Sequence, residues 1–138
     1  MRRRLAAGRK VTGTAYANAV ACRQRWSRTT QRVFDRVDVV LTPSTPTVAP
    51  LAADEPGGPA LAPVGVLLRP WSMADVPALS LPCGLSRDGL PVGVQLAGPP
   101  WAELRLLQAG AAFQEATDWH LRIPPHGGDP APRNAGER

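Results

Sequence analysis

Prolines interrupt this chain so often that they limit the length of any element it can form. Sixteen of the 138 residues are proline, more than twice the usual ~5%, and from Pro43 to Pro132 they recur between short apolar runs. Because proline breaks a helix interior, long helices are possible in only two windows, one before Pro43 and one after Pro100. Hydrophobic residues still make up 43% of the chain, so we expect one small domain of brief elements around a core.

The first window has the period of an amphipathic helix from Thr14 to about Val37. Small and apolar side chains recur there at steps of three and four residues and form one stripe. The members of this stripe are Ala15, Ala19, Cys22, Trp26, Thr30, Val33 and Val37. The basic stripe along one flank consists of Arg25, Arg28, Arg32 and Arg36. The pattern predicts a helix with an apolar face and a basic flank.

Positive charge is concentrated in the first third of the chain. Residues 1–36 carry ten bases and one acid, whereas the remainder carries six bases and ten acids. Such a patch can contact nucleic acid or an acidic protein surface. Arginine outnumbers lysine 15 to 1, however, which is typical of a GC-rich coding sequence, and no aromatic residues alternate with the basic stripe. A solvated helix face is the favoured interpretation, and a basic binding module is the alternative.

Three short strands are predicted between the two helical windows. Residues 37–41 are an apolar run with one acid, closed by turn residues, which indicates a buried strand. Residues 78–85 and 91–97 are two further strands, joined by a turn that contains an Asp-Gly pair, a strong hairpin signal. Pro82 lies inside the first of these two strands, so we expect an edge strand or a bulge there.

The second window, from Trp101 to Trp119, predicts a helix that is apolar on two sides. One face carries Trp101, Leu104, Leu107 and Ala111, and the nearly opposite face carries Leu106, Ala109 and Phe113. Each apolar face needs a packing partner, and four or five short elements do not readily provide both. This pattern indicates that the chain is part of something larger.

The cysteines and histidines do not form a recognisable site. Cys22 and Cys83 fall in a predicted helix and a predicted strand, so we expect two reduced, buried thiols, as in a cytoplasmic protein. A structural Cys83 is favoured over a nucleophile with His120 or His126 as its base, and the spacing of these four residues does not suit zinc. No apolar run approaches the ~18 residues of a membrane-spanning helix, and the basic start lacks the apolar run of a signal peptide.

Three sequence blocks, taken in order, resemble the amidase signature family. Residues 37–46 (VDVVLTPSTP) are similar to that family's DxLLTPTTP strand and turn. Residues 77–84 (PALSLPCG) and 88–96 (DGLPVGVQL), followed by GPPW, are similar to its next blocks. The similarity runs from about residue 5 to residue 124, and three such blocks in the right order are far more specific than one.

The resemblance implies an α/β fold in which helices flank a mixed β-sheet. This chain would be the C-terminal portion of that fold, at 1–124, with a variable loop at 48–66. Residues 125–138 are turn-rich and are expected to be a disordered tail.

The resemblance also implies a hydrolase of carboxamide C–N bonds that needs no metal or organic cofactor. The family uses a serine nucleophile, a second serine in a cis peptide and a lysine base, which precede the blocks found here. The serines of this chain are neither adjacent nor flanked by glycine: Ser27, Ser44, Ser72, Ser80 and Ser86. The one lysine, Lys10, lies where the family has no catalytic residue. Because serine needs a base within hydrogen-bond reach, we expect no catalytic residue in this chain.

One segment is expected to approach the substrate. Before its PALS block the family commonly shows TxPxNxxGxP, and the two prolines are present here as Pro70 and Pro77. The Thr, Asn and Gly positions hold other residues, namely Leu68, Ser72 and Asp75. The resemblance implies that Trp71 and Ser72 form a wall of the substrate pocket, with core packing as the alternative for Trp71.

Two accounts of the chain remain open, a truncated product and one half of a split amidase whose N-terminal half is encoded separately. In either case a small-molecule amide would bind only to the completed enzyme. No membrane partner is expected, and nucleic acid is disfavoured.

Overall fold

The computed structural model describes residues 6–50 and 65–123. The main elements are helix α1 (Gly13–Gln31), strand β1 (Val40–Pro43), helix α2 (Arg69–Ala74), strands β2 (Ala78–Leu85) and β3 (Pro91–Ala97), and helix α3 (Glu103–Glu115). Most of the predicted loop and the whole predicted tail lie outside the described residues. Within those residues, no helix combines the length and apolarity needed to cross a bilayer.

Helix α1 begins where the sequence predicts but ends early. Thr12 caps its first turn, because the Thr12 hydroxyl accepts a hydrogen bond at 3.2 Å from the N–H three residues on. The prediction that the helix reaches Val37 is wrong, since a 3₁₀ turn occupies Arg32–Asp35. The Arg36 N–H donates to Val33 O at 3.1 Å, and a φ of −121° takes Arg36 out of helical conformation. The tighter turn satisfies a terminal carbonyl and directs the chain towards β1.

Only the C-terminal half of α1 is packed against another described element. Thr30 of the predicted apolar stripe is buried, but Ala15, Ala19 and Cys22 are exposed. The partner of α1 is α2, which has six residues and covers little of a 19-residue helix. The expectation of a buried Cys22 is therefore wrong in the described part of the chain.

The three strands form one antiparallel sheet in the order β1-β3-β2. Strand β1 begins at Val40 rather than Val37 and extends to Pro43, so the predicted boundaries are wrong. Its register runs from Val40 opposite Ala97 to Pro43 opposite Val94. The strand starts where its partner strand ends, which the apolar run does not reveal. Pro43 is tolerated because β1 is an edge of this sheet and proline has no N–H to donate.

The predicted hairpin between β2 and β3 is confirmed. Gly89 has a φ of +75°, which suits a residue without a Cβ. The turn is closed by hydrogen bonds from Ser86 N to Leu90 O at 2.8 Å and from Gly89 N to Ser86 O at 3.0 Å. The expectation for Pro82 is also confirmed, since β2 is an edge strand and its register shifts between Pro82 and Gly84.

Helix α3 packs on one face of the sheet and forms the apolar core with it. Leu106, 2% exposed, lies in a cluster with Leu81 and Leu96. The helix approaches β2 closely, because a Cβ added at Gly110 would lie 2.7 Å from the Leu79 Cδ2 atom. The inner face of the helix therefore has the partner that its sequence requires.

The prediction that the second helix starts at Trp101 and ends at Trp119 is wrong at both ends. Trp101 has a φ of +67° and is 92% exposed, because it lies in a turn from Pro99 to Ala102 that is closed by a hydrogen bond from Ala102 N to Pro99 O. At the other end the Thr117 hydroxyl donates to Phe113 O at 2.8 Å and satisfies a terminal carbonyl. A short 3₁₀ turn, Trp119–Leu121, then contacts β2.

The second apolar face of α3 is confirmed, and it is uncovered in the described part of the chain. Leu104 is 68% exposed and Leu107 is 58% exposed. We call these two side chains the outer face of α3. Apolar surface of this kind is typical of a site that another polypeptide segment covers.

Candidate functional site

The side of the sheet opposite α3 carries a row of polar side chains. Cross-strand pairing aligns Thr42 of β1, Gln95 of β3 and Ser80 of β2. Just after β1, the buried Ser44 places its hydroxyl oxygen 2.6 Å from that of Ser80. Gly93 makes this approach possible, since a Cβ there would lie 2.9 Å from the Ser44 Oγ atom. We call these residues the polar face of the sheet.

Gln95 is the centre of the polar face and is 2% exposed. Its side-chain Nε2 lies within hydrogen-bond distance of three acceptors: Thr42 Oγ1 at 3.0 Å, Pro43 O at 3.2 Å and Leu67 O at 2.8 Å. Thr42 and Pro43 belong to β1, and Leu67 belongs to the turn that leads into α2. One buried amide therefore connects the central strand, an edge strand and the start of α2.

Helix α1 holds α2 at its second residue and at its end. Ser27 Oγ donates to Ala74 O at 2.8 Å, and Gln31 Nε2 lies 3.3 Å from the same oxygen. The indole N–H of Trp26 donates to the carbonyl oxygen of Pro70 at 2.8 Å. Asp75, in left-handed conformation directly after α2, forms an ion pair with a guanidinium of α1. Two carbonyls of this short helix, Pro70 O and Ala74 O, are thus satisfied by side chains from α1.

The two residues expected to line the pocket lie next to each other on α2. Trp71 is half-buried, and its indole N–H is buried without a hydrogen-bond partner in the described residues. Ser72 is exposed, and its Oγ lies 3.5 Å from Leu68 O, at the limit of a hydrogen bond. A buried donor without an acceptor is uncommon in folded proteins. Their contribution to a pocket stays a prediction at this stage.

Within the part of the chain that the structure describes, the hydroxyl pair of the polar face has no base of the kind that a nucleophile requires. Neither Ser44 nor Ser80 is hydrogen-bonded to a lysine, histidine or carboxylate among residues 6–50 and 65–123. Lys10 is exposed in the segment before α1. The described residues also contain no group of three His, Cys, Asp or Glu side chains that could hold a metal ion. This arrangement orients hydroxyls but does not activate one of them.

The remaining candidates are separate from the polar face. Cys83 is half-buried in the bulge of β2, with its Sγ 3.6 Å from Val92 O. His120 is exposed in the last 3₁₀ turn, and His126 lies outside the described residues. Every arginine of the basic stripe is exposed, and two of them line an open groove of about 500 Å³ at the end of α1. This exposure agrees with a solvated helix flank.

The sequence pattern did not indicate the importance of Gln95. Its position between Val94 and Leu96 places it on the opposite face of β3 from the core. That alternation usually means a solvated side chain. Gln95 is buried because the turn before α2 covers this part of the sheet. The residue of that turn that contacts Gln95 is Leu67, which lies 28 residues earlier in the sequence.

This chain is similar to known proteins in both sequence and fold. The profile of the family described as Amidase matches residues 1–107. A glutamyl-tRNA(Gln) amidotransferase subunit of Moorella thermoacetica is 44% identical over 110 residues, which cover 79% of this chain and 22% of that protein. The corresponding subunit of Chloroflexus aggregans is 42% identical over 130 residues, 90% of this chain and 26% of that protein.

A solved amidase structure superposes on the fold with a TM-score of 0.73 at 30% identity, covering 83% of this chain and 28% of the other. The predicted fragment of an amidase signature fold is confirmed by this superposition. The chain spans about a quarter of the length of the curated relatives it matches. Because the family profile covers most of its residues, the chain belongs to the amidase family.

Proposed function

We propose that this chain is the C-terminal portion of a hydrolase that converts a carboxamide into a carboxylic acid and ammonia or an amine. The observation that carries the proposal is the amidase match over residues 1–107, combined with coverage of about a quarter of the relatives. In this proposal the chain contributes three strands and part of the pocket. The nucleophile and its base come from the rest of the amidase domain.

The exposed surface of the described residues supports a larger assembly. The outer face of α3, Leu104 and Leu107, is apolar and exposed although the inner face of the same helix is packed. Within the described residues the two outer strands, β1 and β2, each pair with β3 alone. Additional strands and a covering layer would remove both features. These segments belong to the same polypeptide or to a separately encoded half.

The pocket wall that we propose consists of Trp71 and Ser72 on α2. The backbone of α2 is held by α1 and by Gln95, so these two side chains are not needed to hold the helix in place. The buried indole N–H of Trp71 has no acceptor in the described residues. A substrate carbonyl oxygen would satisfy this N–H once the indole ring turns towards the pocket, and burial without an acceptor costs about 1–3 kcal/mol. The exposed Ser72 hydroxyl offers a second polar contact.

Reconstitution tests the proposed activity. The chain is mixed with the part of the Moorella thermoacetica relative that it does not match, and ammonia release from primary carboxamides, glutamine among them, is measured. We expect release from the mixture and none from either component alone. Ammonia release by the chain alone, or a stable complex that hydrolyses no amide, would contradict the proposal.

Two further measurements refine the result. In an active complex, Trp71→Phe removes the indole N–H and is expected to raise KM several-fold, whereas the control Trp119→Phe leaves KM unchanged. An immunoblot of source cells against the β2–β3 hairpin separates the two origins of the missing segments. A band near 15 kDa indicates a separate half, and a much larger band indicates one continuous polypeptide.

A further inference from the structure

We propose that Gln95 is the positioning residue of the pocket wall: it sets where α2, and with it Trp71, lies on the sheet. The proposal rests on the proposed function, because it concerns the same pocket. Gln95 itself lies on β3, within the body of the sheet, and acts through α2 rather than by touching the substrate.

Hydrogen bonds attach α2 at three points, to Gln95 through Leu67 O and to α1 through Pro70 O and Ala74 O. At its start, Leu67 O accepts the shortest of the three Gln95 contacts, at 2.8 Å. Gly65 O accepts a hydrogen bond from Arg69 N at 3.1 Å, so Leu67 belongs to the turn that runs directly into the helix. At its end, Ala74 O accepts from α1. A six-residue helix held at both ends has little freedom to tilt.

The three acceptors determine the orientation of the Gln95 amide. Its nitrogen carries two hydrogens, and all three acceptors, Thr42 Oγ1, Pro43 O and Leu67 O, lie within 3.2 Å. Both hydrogens are therefore engaged, and the amide cannot rotate without leaving a backbone carbonyl unsatisfied. Two of the acceptors belong to β1 and the third, Leu67 O, leads into α2. The amide therefore fixes the position of α2 relative to the sheet.

An apolar residue at this site would fill the space but would not replace the hydrogen bonds. Methionine has nearly the shape of glutamine and donates no hydrogen bond, so it would leave Leu67 O and Pro43 O without the amide. The start of α2 would then lose its attachment to β3, whereas the contacts between α2 and α1 would remain. The expected result is a local displacement of Trp71 rather than general unfolding.

Fluorine NMR on chain labelled with 5-fluorotryptophan tests this inference. The chain has four tryptophans, and Trp→Phe variants assign their signals. In Gln95→Met we expect the Trp71 signal to shift or broaden while the Trp119 signal stays in place. The control is Gln24→Met, because Gln24 is exposed on α1. An unchanged Trp71 signal, or equal changes in the Trp71 and Trp119 signals, would overturn the proposal.

Kinetics of the reconstituted enzyme provide the second measurement. We expect Gln95→Met to raise KM about tenfold with kcat within about twofold, because the wall is displaced and the nucleophile is not. A purely structural role would lower the amount of active enzyme and leave KM unchanged, which contradicts the proposal.

Two outcomes need separate handling. If Gln95→Met does not fold, Thr42→Val removes only the hydroxyl that orients the amide, and a smaller shift confined to Trp71 is expected; its absence refutes the inference. If wild-type complex shows no activity, the proposed function fails, and the NMR measurement on the chain still decides the role of Gln95.

Discussion

Leu106 and Leu107 are neighbours on α3 that meet opposite environments, and truncating each to alanine should have very different effects. Leu106 is 2% exposed and packs against the sheet, whereas Leu107 is 58% exposed. Leu106→Ala removes nearly a whole buried side chain and leaves a cavity, which costs about 2–5 kcal/mol. Leu107 has less than half of its surface buried. Because full burial of a leucine side chain contributes ~2 kcal/mol to stability, truncating Leu107 costs about 1 kcal/mol or less.

These magnitudes decide which variant still folds. The buried apolar residues of the described chain are few, so its free energy of unfolding is small. A loss of several kcal/mol exceeds that free energy. We expect Leu106→Ala to lose its sheet signal in far-UV circular dichroism and to be digested rapidly by a non-specific protease at 25 °C. Leu107→Ala should match wild type in both assays.

For assembly with the complement, Leu107 is the more important of the two leucines, although Leu106 matters more for the stability of the chain. In the reconstituted mixture, Leu107→Asp should prevent co-purification although the variant chain itself is as protease-resistant as wild type. A charge placed in an apolar interface has no partner there and its desolvation opposes binding. If Leu107→Ala is digested as quickly as Leu106→Ala, or if Leu107→Asp still assembles, the outer face of α3 is not the surface described above.

Three further outcomes are expected. The chain without its complement should bind a hydrophobic dye and melt over a broad temperature range, because apolar surface is uncovered; a sharp two-state transition of a monomer would be inconsistent with this. Gly89→Ala should cost about 1–2 kcal/mol and accelerate amide hydrogen exchange in the hairpin, since φ is +75°, whereas Gly84→Ala, with open space around it, serves as the comparison. Arg28→Glu should leave assembly and activity unchanged. Nucleic-acid binding by the wild-type chain that falls steeply as salt rises, and that Arg28→Glu abolishes, would instead support the basic binding module.

The parts of the fold that sequence predicts well are those determined by near neighbours in the chain. An Asp-Gly pair between two alternating runs specifies a hairpin because only the turn residues and their flanks are involved. Pro82 indicates an edge strand and a bulge for the same reason, since proline lacks the donor that a central strand needs. The two-sided pattern of the last helix is likewise present in the structure, with Leu106 inside and Leu107 outside.

The parts that were missed depend on contacts between distant residues. The apolar period of α1 continues past Gln31, but the 3₁₀ turn is imposed by the route into β1. The start of β1 is set by the end of β3 at Ala97, more than fifty residues away in sequence. Gln95 looked like a solvated position because its burial requires Leu67, which no local pattern connects to it.

The two outer strands of the sheet are not equally able to accept a neighbour. Strand β2 carries a proline and a bulge in its middle, so an added strand would meet an interrupted ladder there. Strand β1 presents Val40, Leu41 and Thr42 without interruption before Pro43. Among the described strands, β1 is therefore the edge better suited to accept a further strand. A chain synthesised without its complement would self-associate along the β1 edge. The edge that accepts further strands in the completed enzyme is therefore also where aggregation would start.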